Sequence, residues 1–196
     1  MNTEKNKPDR KIILTSLLMV LSLVLIFFTS CTHGWKTYII KAGNHTAGGL
    51  SPIKFDLDKI NFDFKADSSW YYLYPDHYGW NKIRGISHGH HQNNSSARLA
   101  WRCFGDTVLV VGAYCYVNGD SPQDNPNFKA IIDTIQPGII YHCSITRKDD
   151  MYVIDFEDKK WTGPAGKDLS WGYVLNPYIG GDFTLKHDWK IEIRDR

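Results

Sequence analysis

The second half of the chain alternates between apolar and polar positions every other residue. Along 189–194, Trp189, Ile191 and Ile193 fall on one side, with Lys190, Glu192 and Arg194 on the other. Ile60, Phe62 and Phe64 alternate in the same way with Asn61, Asp63 and Lys65. A period of two is the signature of a half-buried strand. Short runs of this kind, broken by Gly, Asn, Asp and Pro, predict strands over 35–41, 52–56, 59–65, 70–74, 80–87, 97–104, 107–117, 139–147, 151–156, 171–178 and 183–194. The clearest pair, 97–104 and 107–117, flanks Gly105-Asp106, a two-residue turn with Gly first, as a type II′ hairpin prefers. Phe128, Ile131, Ile132 and Ile135 fit a helical spacing instead and predict one short helix.

The first thirty residues follow another rule. Lys5, Lys7, Arg10 and Lys11 make a basic start, and from Ile12 to Phe28 there is no charge, Gly or Pro. That is the layout of a secretory signal. It ends on Phe28-Thr29-Ser30-Cys31, which resembles the lipobox of bacterial lipoproteins, with Phe28 where an aliphatic residue is usual. The resemblance implies cleavage before Cys31, acylation of Cys31 and attachment to lipid of the outer membrane. Residues 1–30 are then a signal peptide, 31–34 a short lipidated tether and 35–196 a single domain.

Composition narrows the partners. The leader carries four of the 23 basic and two of the 21 acidic residues, so the mature chain has 19 of each and is formally neutral. Without a basic patch or run, nucleic-acid binding is not expected. Of the 27 Trp, Tyr and Phe residues, 25 follow Cys31, which favours strands and sugar-stacking surfaces alike. Cys103, Cys115 and Cys143 read as small apolar strand fillers. A Cys115–Cys143 disulfide is the alternative if their strands are neighbours.

About ten short strands and no long helix predict an all-β, antiparallel β-sandwich. From residue 80 onward the order of motifs resembles the concanavalin-like jelly rolls, which include lectin-type domains, polysaccharide lyases and glucanases. The residues that carry the resemblance are Ser96-Ala97-Arg98-Leu99-Ala100-Trp101-Arg102, then Gln136-Pro137-Gly138 before Tyr141, and Gly180-Gly181 before the last strand. The resemblance implies the architecture. Its lyase members imply a chemistry in which Tyr works with Arg, His or Asn to neutralise a uronate and move a proton.

Candidate ligand-binding residues follow from three segments. In Trp70 to Trp80, more than half the positions are aromatic, and Tyr72 and Tyr74 are candidates for stacking on a sugar, with at least two of the stretch expected to be exposed. The run His88-Gly89-His90-His91-Gln92-Asn93-Asn94 has three imidazoles but not the spacing of a metal site, so His88, His90 and His91 read as glycan-contacting rather than metal-binding; no cofactor is expected. Arg98 and Arg102, four apart, share a strand face, opposite Leu99, Trp101 and Cys103. A strict two-residue turn sets Arg98 against Ala113 and Arg102 against Leu109. A slip of one brings Tyr114 and Tyr116 beside the arginines, and only that register makes a sugar-binding groove. After Cys31 the only glutamates are Glu157 and Glu192, which argues against a two-carboxylate glycosidase. The expected function is a non-catalytic, envelope-anchored glycan-binding domain. A polyuronate lyase and a scaffold lipoprotein with no small ligand are the alternatives.

The anchoring expectation has a direct test. Expressed in a Gram-negative host and fed a palmitate analogue, the wild-type chain is expected to incorporate label and Cys31→Ala is not. Equal labelling of the two would remove the lipoprotein reading.

Overall fold

A computed structural model describes residues 34–72, 79–120 and 131–196. The leader, Cys31, Tyr74 and Phe128 lie outside the described residues. Twelve strands are present among them: β1 Lys36–Ile40, β2 Lys54–Phe55, β3 Lys59–Ala66, β4 Asn81–His88, β5 Ser95–Phe104, β6 Val108–Tyr116, β7 Ile131–Ile135, β8 Ile140–Lys148, β9 Met151–Phe156, β10 Lys159–Pro164, β11 Trp171–Leu175 and β12 Trp189–Asp195. They form two six-stranded sheets, ordered β1-β12-β3-β8-β9-β10 and β2-β11-β4-β5-β6-β7. All pairings are antiparallel. This is the expected jelly-roll-like β-sandwich.

The inner faces meet through the alternation seen in the sequence. Phe62 and Phe64 of β3, Leu99, Trp101 and Cys103 of β5, and Trp189, Ile191 and Ile193 of β12 all enter one core. At its centre Trp101 of the second sheet lies nearly parallel to Trp189 of the first, with ring centroids 5.7 Å apart. Trp70 wedges against both, at 4.4 and 5.2 Å. Its indole N–H donates to the Lys190 carbonyl at 2.8 Å, so this large ring is buried without an orphaned donor.

Several local expectations are corrected. The strand predicted over 70–74 is not formed in its described part. The Asp67 carboxylate accepts from Ser69 N–H and starts a single 3-10 turn, Ser68–Trp70, which throws Trp70 inward. The helix predicted around 128–135 is replaced, over 131–135, by strand β7. Ile131, Ile132, Thr134 and Ile135 are β-branched and stiff, and the edge of β6 offers them a ladder. Strand β10 went unread because Trp161 is its only large apolar residue. It is an edge strand and ends on Pro164, where a missing N–H is tolerated. The three cysteines are buried free thiols. Cys115 and Cys143 lie on strands of opposite sheets, so the neighbouring-strand condition for a disulfide fails.

Two irregularities position the outer face of the second sheet. At the β5–β6 turn, Gly105 and Asp106 both have positive φ, at 53° and 59°. This suits a I′ turn rather than the expected II′. Pairing resumes at Phe104↔Val108, which leaves Thr107 as an extra residue and sets Arg98 opposite Tyr114. The slipped register is the one that forms. In β4 the pairing shifts between Lys82 and Arg84. A bulge of this kind re-aims side chains. Lys82 opposes Ala100 on the outer face, whereas Arg84 opposes Leu99 and points inward.

The tryptophan cluster should dominate stability. Trp101→Ala is expected to lower unfolding free energy by about 3–5 kcal/mol, read from urea denaturation. A loss below about 1 kcal/mol would mean that the inter-sheet stack carries little of the fold.

Candidate functional site

Outer-face side chains of a sheet usually meet water. On the second sheet a group of them is as buried as the core. Arg98, Lys82, Trp80, Ala100, Val110 and Tyr114 are all buried there. Half-buried Tyr116, Tyr173, Tyr178 and His91 surround them.

Arg98 is the centre of this group. It stands opposite Gly85 on β4, where an added Cβ would lie 2.3 Å from the Ala97 carbonyl oxygen and 2.6 Å from the Arg98 Cγ. Glycine at that position is therefore what lets the arginine stem lie across the sheet. Arg98 forms no ion pair among the described residues, and its Nε has no hydrogen-bond partner there. Burial pulls its pKa down to about 10, and the nearby hydroxyl-bearing rings of Tyr114, Tyr116, Tyr173 and Tyr178 partly oppose the fall. The guanidinium stays charged at neutral pH.

Lys82 is the second cation. Its backbone N–H donates to the Tyr178 carbonyl at 2.8 Å and its carbonyl accepts from Tyr178 N–H at 3.0 Å, so the 178 segment lies beside the strand as an antiparallel bridge. The ammonium sits 4.2 Å from the Tyr114 ring centroid and 5.8 Å from that of Tyr178. Gly180 makes room for it, since a Cβ there would approach the Lys82 Nζ to 2.4 Å. Burial, then the like charge of Arg98, lowers its pKa to about 7. Two cations therefore share one covered patch, faced by tyrosine rings and with no ion-paired carboxylate among the described residues.

The histidine run divides. His91 joins the patch, its Nδ1 lying 2.8 Å from the Tyr173 hydroxyl. Burial, then Arg98, His90 and Lys82, brings its pKa down to about 4, so the imidazole is neutral at physiological pH. His90 stacks on His91 at 4.9 Å and faces solvent. His88 does not belong to the site. It pairs with Ser95 on the inner face, is buried, and meets the Tyr152 hydroxyl at 2.8 Å. The reason is strand parity: β4 runs through His88 before the loop begins. Among the described residues no three His, Cys, Asp or Glu side chains gather in a metal-binding arrangement.

Tyr72 is likewise corrected to a core residue. Its hydroxyl accepts from Asn81 Nδ2 at 3.3 Å and from Cys103 N–H at 3.4 Å, between the sheets. Trp70 and Trp80 are also buried and Tyr71 is half-buried, so no exposed aromatic of that stretch lies among the described residues. Arg102 shares the face of Arg98, as expected. Its guanidinium carbon lies 4.7 Å from the Trp80 ring and 4.2 Å from that of Phe104, a cation held between two aromatic faces.

Tyr114 and Tyr116 thus fall on the site, 5.8 Å apart in an edge-to-face arrangement. Lys82, Tyr173 and Tyr178 were not anticipated. Lys82 stands between Asn81 and Ile83 in the predicted strand 80–87, and nothing in that pattern marks it as buried.

No protein-family model matches this chain, and no curated protein does. Solved structures resemble it in fold. The alginate lyase Aly36B superposes with a TM-score of 0.58 at 14% identity, over 83% of this chain and 79% of that one. A lysine-and-tyrosine double variant of the same enzyme, in complex with alginate tetrasaccharide, gives 0.55 at 12% identity, over 81% and 78%. A functionally unknown protein from Saccharomyces cerevisiae gives 0.51 at 9%, over 82% and 85%. At these identities the likeness is one of fold.

The Lys82 environment makes a stability prediction. Its folded pKa of about 7 lies below the ordinary lysine value of 10.5. Between these limits the unfolded chain holds a proton that the folded one has released, so stability rises with pH across that window. Relative to Lys82→Met, wild type is expected to gain stability from pH ~7 toward ~10 in parallel denaturant titrations. Identical pH profiles would place the amine in water.

Proposed function

We propose that this protein is an envelope-anchored binder of an acidic polysaccharide, a polyuronate, held at the outer membrane by acylated Cys31. The polymer lies on the outer face of the second sheet, over Arg98, Lys82, His91 and the four tyrosines. The observation that carries the reading is the buried pair Arg98 and Lys82, which have no ion-paired carboxylate among the described residues. A buried cation without a partner is strongly unfavourable. A ligand carboxylate would relieve that penalty for both groups, and a guanidinium matches a carboxylate with two parallel hydrogen bonds. The tyrosines offer rings for sugar faces and hydroxyls for sugar oxygens. The alginate lyase neighbour, one form of which was solved with an alginate oligosaccharide, supports this substrate class.

One observation favours a second reading, in which the bound polymer is also cut. With a pKa of about 7, Lys82 presents a large neutral fraction near neutrality, and a neutral amine is a base. In a polyuronate lyase reaction Arg98 neutralises the sugar carboxylate. The amine takes the adjacent C5 proton, the C4–O bond breaks, and the departing oxygen receives a proton from a tyrosine such as Tyr114. The product carries a C4–C5 double bond. Mutual position fits such a role: the lysine and Tyr114 are neighbours on one face.

Calorimetric titration with polymannuronate, polyguluronate and a neutral glucan tests both. The uronate polymers are expected to bind and the neutral one not. Arg98→Ala is expected to lose about 1.5–3 kcal/mol, roughly 10- to 150-fold in affinity. Uronates stay ionised above pH ~5, so binding should weaken as Lys82 loses its proton through pH ~7, and Lys82→Met should flatten that dependence. Accumulation of unsaturated, ultraviolet-absorbing product, at a rate that rises with pH over the same range, would select the lyase. Failure of every uronate polymer to bind would overturn the proposal.

A further inference from the structure

A second basic region lies away from the outer-face site, at the edge of the sandwich where β2 and β11 approach β1 and β12. There the sheets border an open pocket of about 390 Å³. Five cations line it, Lys36, Lys54, Lys59, Arg84 and Arg196, against one carboxylate, Asp195. Arg84 is tied to Asp195 at 2.6 Å, and Arg196 to Asp63 at 2.9 Å. Lys36, Lys54 and Lys59 have no ion pair among the described residues. The same pocket is edged by Leu50, which is 98% exposed. Beyond it Ile53 and Phe55 are 62% and 74% exposed, on either side of Lys54. Singly exposed apolar residues are ordinary, but three within six residues of chain, bordering three lysines with no ion pair among the described residues, form an amphipathic rim.

We propose that this rim docks on an anionic lipid surface, with Leu50, Ile53 and Phe55 entering the headgroup boundary and the three lysines meeting lipid phosphates. The orientation rests on the anchored reading above. From Cys31 to Lys36 the chain spans at most about 18 Å even when fully extended. An acyl group on Cys31 therefore keeps Lys36, a residue of this rim, close to the bilayer. Apolar side chains beside lysines are the composition that binds an anionic interface, where each lysine contributes about fivefold in affinity. The tether and the rim act as two attachments of one domain, which fixes which edge faces the membrane.

The test uses residues 32–196 without lipid, so that it is independent of acylation. The described core is built entirely within this fragment, and circular dichroism checks that each variant keeps its strands. The fragment is sedimented with vesicles of phosphatidylcholine alone or mixed with phosphatidylglycerol. It is expected to pellet with the mixed vesicles and less so at high salt. Leu50→Ser/Ile53→Ser/Phe55→Ser is expected to lose at least about tenfold in binding. Lys54→Gln and Lys59→Gln should each lose about fivefold. Lys160→Gln, on β10 at the opposite edge of the first sheet, should bind as wild type does. No pelleting with either vesicle, or pelleting indifferent to the rim variants, overturns the proposal. So does binding abolished by free glycerol phosphate, which would make the pocket a site for a small anion. A Leu50-dependent dimer in sedimentation velocity that does not bind vesicles would also overturn it, since the rim would then be a contact between copies. A negative vesicle result leaves the palmitate labelling of Cys31 to be judged separately.

Discussion

The outer face of the second sheet depends on one unfavourable fact: two positive charges are buried side by side. Burial, and then repulsion from Arg98, brings the Lys82 pKa down to about 7. Everything around them reads as accommodation. Gly85 and Gly180 clear space that any Cβ would fill. The rings of Tyr114 and Tyr178 offer their electron-rich faces to the ammonium, a weaker substitute for a carboxylate. A neutral His91 adds no third charge. Such local conflict between burial and charge is one mark of a candidate functional site.

A sheet can hold such a patch only if the other face is firmly packed. Ala97 and Leu99, which flank Arg98 on β5, enter the core on the opposite face, as does Trp101 further along the strand. The stacked rings of Trp101 and Trp189 join that strand to the opposite sheet. The site's cations and Tyr114 and Tyr173 therefore sit on strands rather than loops, which holds side chains to tighter positions. The contributions from outside the strands are His91, itself tied back to Tyr173 on β11, and Tyr178, whose backbone bridges to Lys82.

The architecture was legible because it rests on alternation. The parity of β5 alone separated Leu99, Trp101 and Cys103 from Arg98 and Arg102, and β12 was read just as directly. What alternation cannot supply is the relation between strands. The II′ turn suggested by Gly105-Asp106 left two registers open, and dihedral angles absent from any sequence pattern chose between them. Lys82 was missed for a related reason. Period-two reasoning puts Lys82 and Arg84 on one face, and the bulge separates them. His88 and Tyr72 misled in the opposite sense, since a polar atom suggested exposure while each found a buried hydrogen-bond partner in a distant part of the chain or on a neighbouring strand. The short helix failed because helical spacing of four apolar residues says nothing of a vacant strand edge nearby.

Thr107 has a meaning beyond the hairpin it belongs to. It is one unpaired residue in an exposed turn, well removed along the strands from Arg98, yet it decides which row of β6 lies beside that arginine. If Thr107 instead paired with Phe104, Ala113 and Leu109 would take the places of Tyr114 and Val110, and the rings would turn into the core. A change in this turn that favoured pairing Thr107 over leaving it out would then redraw the whole surface in one step, with every residue on the face unchanged.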